Sequence, residues 1–292
     1  MKVSVGGFSF NNSRVAGHMD IFSYIDTVHS KYGLKTIDLW NAFFADTSRP
    51  IWMIADDDVL LRIKQALTER EMTVANLAVD TAHLWNPDPE VRDALHQNAL
   101  SYLRAAELLG AQSVRIDAVM HGDEDMSDEA FDYIVRRYSE YAAQAADGGY
   151  WVGPENHTGF ALVPESLRSI SESVNHPNYG VLLHLGRWHH AIQPSYSRSK
   201  PQPEHVQAAL RKSDHMLLPW TKHIHIDWKM LQQEDAVKHI CSIIDKGYNQ
   251  CWAVEYNAPE NQIQAVGQAL EQLQACLQHK QLQEESSCLP FE

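Results

Sequence analysis

A short β-like run followed by a longer amphipathic run recurs eight times along this chain, and that alternation constrains the fold more than any other feature. Strands are expected at residues 2–5, 36–40, 74–79, 113–119, 150–155, 180–184, 222–227 and 250–255. Between them the spacing predicts helices over 20–32, 56–72, 89–109, 127–146, 164–174, 203–212, 233–246 and 260–279. Ile21, Ile25 and Val28 share one helical face, as do Val59, Leu60, Ile63 and Leu67. Pro89 opens one helix and Gly110 follows it; Ser127 is placed to cap another, which stops before Gly148-Gly149. Eight units of about 35 residues suit an α/β protein of the (β/α)8 barrel type, whose usual length is roughly 250 residues. A doubly wound sheet would announce a glycine-rich first turn, and Val5-Gly6-Gly7-Phe8 is not a Gly-x-Gly-x-x-Gly. We therefore expect one barrel domain over residues 1–279, with 280–292 as a polar, loosely docked tail.

Composition narrows the function. At 292 residues and 44% hydrophobic, the chain can close a core without a disulfide or metal staple. Its 24 Lys and Arg against 38 Asp and Glu give a net charge of −14, which repels a phosphate backbone and argues against nucleic acid as a partner. The cysteines, Cys241, Cys251, Cys276 and Cys288, lack metal-type spacing and read as free thiols of a reducing cytoplasm. The first residues read as a strand rather than a signal peptide, and no run approaches the roughly 18 apolar residues of a membrane span. A cytoplasmic protein with no membrane partner is expected.

Barrel active sites lie at the C-terminal strand ends, so the polar residues that end strands and face inward carry the argument. In His223-Ile224-His225-Ile226-Asp227 the isoleucines share the outer face, which turns His223, His225 and Asp227 toward the axis. In Cys251-Trp252-Ala253-Val254-Glu255, Glu255 points inward at the end. Glu155 ends the fifth strand beyond Gly153-Pro154, and His184 ends the apolar run Gly180-Val181-Leu182-Leu183. Neighbouring strand ends are about 5 Å apart. Glu155, His184, His225 and Glu255 thus converge on one small volume, where two carboxylates repel unless a cation holds them. Mixed carboxylate and imidazole donors suit Mn²⁺, Co²⁺, Zn²⁺ or Fe²⁺.

These strand ends resemble the xylose-isomerase-like superfamily of barrels, which includes sugar isomerases, ketose 3-epimerases, inosose dehydratases and endonuclease-IV-type enzymes. Pro154-Glu155-Asn156-His157, Gly180-Val181-Leu182-Leu183-His184, His223-Ile224-His225-Ile226-Asp227 and Trp252-Ala253-Val254-Glu255-Tyr256-Asn257 carry the resemblance. Asp80-Thr81-Ala82-His83-Leu84-Trp85 and Leu108-Leu109-Gly110-Ala111 also fit. The resemblance implies a divalent ion, Mn²⁺ first and Mg²⁺ among the alternatives, held by Glu155, His225 and Glu255. The sequence departs at strand six, where Asp-x-x-His becomes His184-Leu185-Gly186-Arg187. His184 then stands at a ligand position and Arg187 at a substrate-binding one, which argues against xylose isomerase itself.

The implied activity is isomerisation or epimerisation of a small carbohydrate, a sugar or sugar acid, through an enediolate, with Glu155 and Glu255 as base and acid. Arg187, His83, His121, His157, Trp40, Trp188 and Asp227 are candidate substrate contacts, and Asp227 is an alternative support for His225. Phe8, Phe10, Trp85 and Trp228 also fall near the mouth, where rings pack on sugars, cap the barrel or fill a homo-oligomer interface. His189 and His190 follow Arg187. Three alternatives stand beside this reading. One is a lyase in which the same enolate expels a β-hydroxyl. Another is a metal-free sugar-binding barrel in which Arg187 replaces the ion. The third, an apurinic endonuclease, is disfavoured by net charge.

Overall fold

The computed structural model describes residues 1–54, 56–120, 122, 125–188 and 203–287. The eight strands form where the alternation placed them: β1 Lys2–Val5, β2 Thr36–Trp40, β3 Thr73–Val79, β4 Ser113–Ile116, β5 Trp151–Gly153, β6 Val181–His184, β7 Thr221–Ile226 and β8 Cys251–Val254. All pair in parallel, in two ladders ordered β1-β8-β7-β6 and β2-β3-β4-β5. Single bridges close the barrel between the ladders, Gly6 with Asp38 on one side and Val152 with Tyr179 and Glu155 with Leu182 on the other. At the first seam Tyr24 Oη lies 2.7 Å from the carbonyls of both Val5 and Asp38, tying β1 to β2 where the ladder is thin.

The eight main helices are α1 Ile21–Asp26, α2 Asp57–Glu69, α3 Pro89–Leu109, α4 Asp128–Gly148, α5 Pro164–Val174, α6 Glu204–Leu217, α7 Ala236–Asp245 and α8 Gln262–Ser287. Their ends follow the local chemistry. Asp20 and Ser23 form a reciprocal cap on α1, Asp56 caps α2, and Ser127 caps α4. Gly110 closes α3 at φ 71°, a left-handed conformation that glycine adopts without strain. Ile37, Leu39, Ile224, Ile226, Trp252 and Val254 are fully enclosed between strands and helices.

Several expectations need correction. Strand four stops at Ile116, not at residue 119, because beyond it the carbonyls of Asp117 and Ala118 accept from Leu84 N and Trp85 N of the loop after β3. Strand five stops at Gly153, not at residue 155, because Pro154 has no N–H for the ladder; its carbonyl still accepts from Leu182 N at 2.9 Å. The helix expected over 20–32 is a short α-helix continued as a π-turn over Thr27–Lys31. The closing helix does not end at 279 but runs to Ser287, with Lys280 paired to Asp245. A two-stranded hairpin, Ala45–Asp46 with Met53–Ile54, occupies the connection after β2. Cys241, Cys251 and Cys276 are free thiols, while Cys288 lies outside the described residues. Among the described residues no helix is long and apolar enough to cross a membrane.

Candidate metal centre

The C-terminal strand ends bring Glu155, His184, His225 and Glu255 together, with one donor atom from each within 4.8 Å of the others. His184 Nδ1 lies 3.2 Å from Glu155 Oε1 and 3.8 Å from Glu255 Oε1. His225 Nδ1 lies 3.2 Å from Glu255 Oε2, while its Nε2 lies 2.9 Å from Asp38 Oδ2 on β2. The same Asp38 oxygen lies 2.6 Å from His223 Nε2, and Ser4 Oγ donates to the other oxygen at 2.6 Å. Gly6 makes room for this cluster, since a Cβ there would sit 3.2 Å from Glu255 Oε2.

Burial disfavours charge on Asp38, Glu155, His225 and Glu255, yet their neighbours win. His223 and His225 hold buried Asp38 well below the usual carboxylate range. His157, His184, Arg115 and Arg187 do the same for Glu155. His225 brings Glu255 down to about 2, and is itself pushed up to about 10 by Glu255 and Asp38. His225 Nδ1 is buried without a well-formed hydrogen bond, although it faces Glu255. A donor nitrogen aimed at carboxylates, with its other ring nitrogen against a carboxylate, is the arrangement of a metal-binding imidazole. A divalent ion would take over the counter-charge that the imidazolium proton otherwise supplies. The four side chains therefore fit a metal ion by donor type, convergence and charge.

A second polar group lies on the other side of the mouth. Arg115 of β4, buried, has Nη1 2.7 Å from Asp80 Oδ1 and 2.9 Å from Asp117 Oδ2, and Nε 3.3 Å from Glu155 Oε2. His157 Nδ1 lies 2.9 Å from Asp117 Oδ2, and Asp117 and Glu155 raise its pKa against the effect of burial. Trp40 Nε1 donates to Asp80 Oδ2 at 2.8 Å. Asp38, Asp80, Arg115 and Asp117 did not figure among the candidates. The signal that could have found them is the same period-two alternation, which sets Asp38 on one face with Thr36 and Trp40, and Arg115 on one face with Ser113 and Asp117.

Arg187 reaches the centre from the loop after β6. Its Nη1 lies 3.4 Å from Glu155 Oε1 and 3.3 Å from His184 Nδ1. Asn156 holds this loop by accepting from His184 N at 2.7 Å and donating to the carbonyls of His184 and Arg187. Asp214 of α6 accepts from Gly186 N and from Trp188 Nε1, and His239 Nε2 lies 3.1 Å from it.

Two cavities open here. The inner one, about 80 Å³, is lined by residues including Trp40, Arg115, Glu155, His157, His225 and Glu255. The outer one, about 280 Å³, lies toward β6, β7 and β8 and shares Phe8, Arg187 and Glu255 with it. Trp40, His157 and Arg187 thus meet at the centre as expected substrate contacts would. Others do not. Trp188 is fully buried, because its indole N–H is satisfied by Asp214 inside the protein. Asp227 borders the outer cavity but accepts from Met230 N as a helix cap; Asp38 and Glu255 support His225 instead. His83 is half-buried and lines neither cavity. His121, His189 and His190 lie outside the described residues. The aromatic wall is also smaller than expected: Phe10 packs on Tyr24, Trp85 on Tyr133 and Trp228 on Tyr256.

A family model described as xylose isomerase-like TIM barrel matches residues 28–276. No curated protein matches the chain by sequence. Among solved structures, an L-ribulose 3-epimerase aligns with TM-score 0.71 and 11% identity over 100% of both chains. D-psicose 3-epimerase from Clostridium cellulolyticum H10, solved with D-tagatose, aligns with TM-score 0.64 and 14% identity over 97% of this chain and 99% of its own. The probable 3-DHS dehydratase AsbF from Bacillus anthracis gives TM-score 0.67 and 14% identity over 94% and 99%. At such identities the likeness is one of fold.

Proposed function

The chain belongs to the xylose isomerase-like TIM barrel family, and on that premise we propose that it is a metal-dependent isomerase or epimerase of a sugar or sugar acid. The observation that carries this reading is the convergence of Glu155, His184, His225 and Glu255 at the barrel mouth. Manganese is the ion we assign first, with Co²⁺, Zn²⁺, Fe²⁺ and Mg²⁺ as alternatives. When bound, the ion supplies Lewis acidity to a substrate carbonyl and acidifies the adjacent C–H.

The chain's own groups move the proton. Glu155 and Glu255 flank His184 Nδ1, and both are ionised near neutral pH because of their cationic neighbours. Glu255 lines both cavities and its side chain is 12% exposed; Glu155 is 3% exposed and held by Arg115 and Arg187. We assign Glu255 the removal of the C–H proton, giving an enediolate kept from bulk water in the inner cavity; Glu155, ionised at rest, takes the substrate's hydroxyl proton and delivers it to the receiving carbon, and Glu255 returns its own proton to oxygen, so that both carboxylates end as they began. Arg187 binds a substrate oxygen, and Trp40 offers a ring face.

One observation favours a second reading, a lyase. His157 lines the inner cavity, and Asp117 beside it favours its protonated form against burial, so it is placed to protonate a leaving β-hydroxyl after the same proton abstraction. The contact of Arg187 with Glu155 favours a third, a metal-free sugar-binding barrel. Incubating the Mn²⁺-loaded protein with ketoses in deuterated solvent separates them. We expect exchange of the C–H next to the carbonyl, with a new isomer for an isomerase, loss of water for a lyase, and neither for a binding protein. Glu255→Gln with confirmed metal occupancy should lose the exchange; exchange at the wild-type rate would remove Glu255 as the base.

A further inference from the structure

The inner cavity is too small for a whole substrate. An apolar cavity of about 150 Å³ holds one benzene ring, whereas this one measures about 80 Å³. It admits the reacting carbons of a sugar, and the rest must extend past Phe8, Arg187 and Glu255 into the outer cavity. At about 280 Å³ the outer cavity exceeds what the remainder of a monosaccharide fills.

The walls define what else enters. Arg211 is ion-paired with Asp235 and Arg187 with Glu155, His239 Nε2 lies 3.1 Å from Asp214, and Asp227 is engaged with Met230 N. Lys229 is exposed at this cavity, where solvent screens its charge. Among the described residues the buried charges of this wall are already matched, so a second charge on the substrate meets no enclosed counter-ion. Apolar surface remains. Leu185 and Leu210 are buried in the wall, Phe8 is 38% exposed, and Tyr256 is fixed by stacking on Trp228 at 6.0 Å between ring centres. Arg187 and exposed Lys229 supply hydrogen-bond donors on the same wall. A neutral ring with hydroxylated edges and an apolar face matches that surface.

We propose that the substrate is a glycosylated sugar, its reacting end at the metal centre and its second, neutral ring in the outer cavity against Phe8 and Tyr256. This deepens the isomerase reading and rests on it.

The test is a panel of ketoses, each free, phosphorylated, and carrying a 4-O- or 6-O-glycosyl group (lactulose is one), assayed with Mn²⁺-loaded protein for C–H exchange by NMR. We expect a glycosylated ketose to exceed its parent in kcat/KM by at least tenfold. Leu210→Trp, which fills the outer cavity, should bring that ratio close to one, and Phe8→Ala, at an exposed position that tolerates change, should lower it severalfold. Equal turnover of parent and glycoside, a ratio unmoved by both variants, or a preference for the phosphorylated ketose would overturn the proposal. If no sugar exchanges, the reaction assigned above fails, and calorimetry with the same glycosides decides the cavity separately. Binding that Leu210→Trp weakens at least tenfold would support the assignment; no binding, or binding indifferent to the variant, would overturn it.

Discussion

The two sides of the barrel mouth solve the same electrostatic problem differently. On the side of β3, β4 and β5, half-buried Asp80 and buried Asp117 and Glu155 surround a guanidinium that the chain itself supplies, Arg115. On the side of β7 and β8, Asp38 and Glu255 surround His225, whose charge depends on a proton. Glu155 sits at the seam, with Oε2 toward Arg115 and Oε1 toward His184 and Arg187. A permanent cation makes a scaffold; a dissociable one leaves room for an ion from outside. Both cavities reach Glu255, while Arg115, which lines only the inner one, belongs to the architecture that holds Glu155 in place.

Replacing the permanent cation should produce the largest effect. Arg115→Met leaves three carboxylates, two of them buried, without their shared partner, and loss of one member of a buried ion network costs about 3–5 kcal/mol. Urea denaturation reads this directly, and a loss under 1 kcal/mol would show that the β3–β5 side does not depend on Arg115. On the other side, Asp38→Asn removes the charge behind His225 while keeping its shape. Metal affinity should fall about 10–100-fold, as for other carboxylates that support ligating histidines. Calorimetric titration with Mn²⁺ checks it, and unchanged affinity would detach Asp38 from the centre.

A smaller effect is expected at the loop between the two sides. Asp214→Asn weakens the acceptor for Gly186 N and Trp188 Nε1 and removes the partner charge of His239. About 1–3 kcal/mol of stability should be lost. Because Arg187 lies between the two clamped residues, KM should rise more than kcat falls, with metal content unchanged. Equal change in both constants would mean that the clamp is structural only.

Much of the β6–β8 side was legible in the sequence. Period-two alternation in His223–Asp227 and Cys251–Glu255 states which side chains face the axis, and the terminal Glu255 and inner His225 followed. The β3–β5 side was equally alternating, but Arg115 stands in a four-residue strand where an arginine reads as ordinary polar content. Only its burial and its three carboxylate partners reveal the role. Trp188 was misplaced for a different reason, and Asp227, though it borders the outer cavity, is turned by a helix-capping bond. Both follow their strands, where alternation no longer dictates direction, and local partners decide: Asp214 for the indole, Met230 N for the carboxylate. Strand five was overextended because Pro154 removes a ladder donor while leaving Glu155 correctly delivered to the mouth.

The central claim is that Glu155, His184, His225 and Glu255 hold one divalent ion. Anomalous diffraction from crystals of the Mn²⁺-saturated protein tests it most directly. One strong manganese peak per chain is expected, within ligand distance of all four side chains at about 2.0–2.3 Å, the range for transition-metal bonds to imidazole and carboxylate. Saturated crystals with no peak there, and with the Arg187 guanidinium lodged between Glu155 and Glu255, would contradict it.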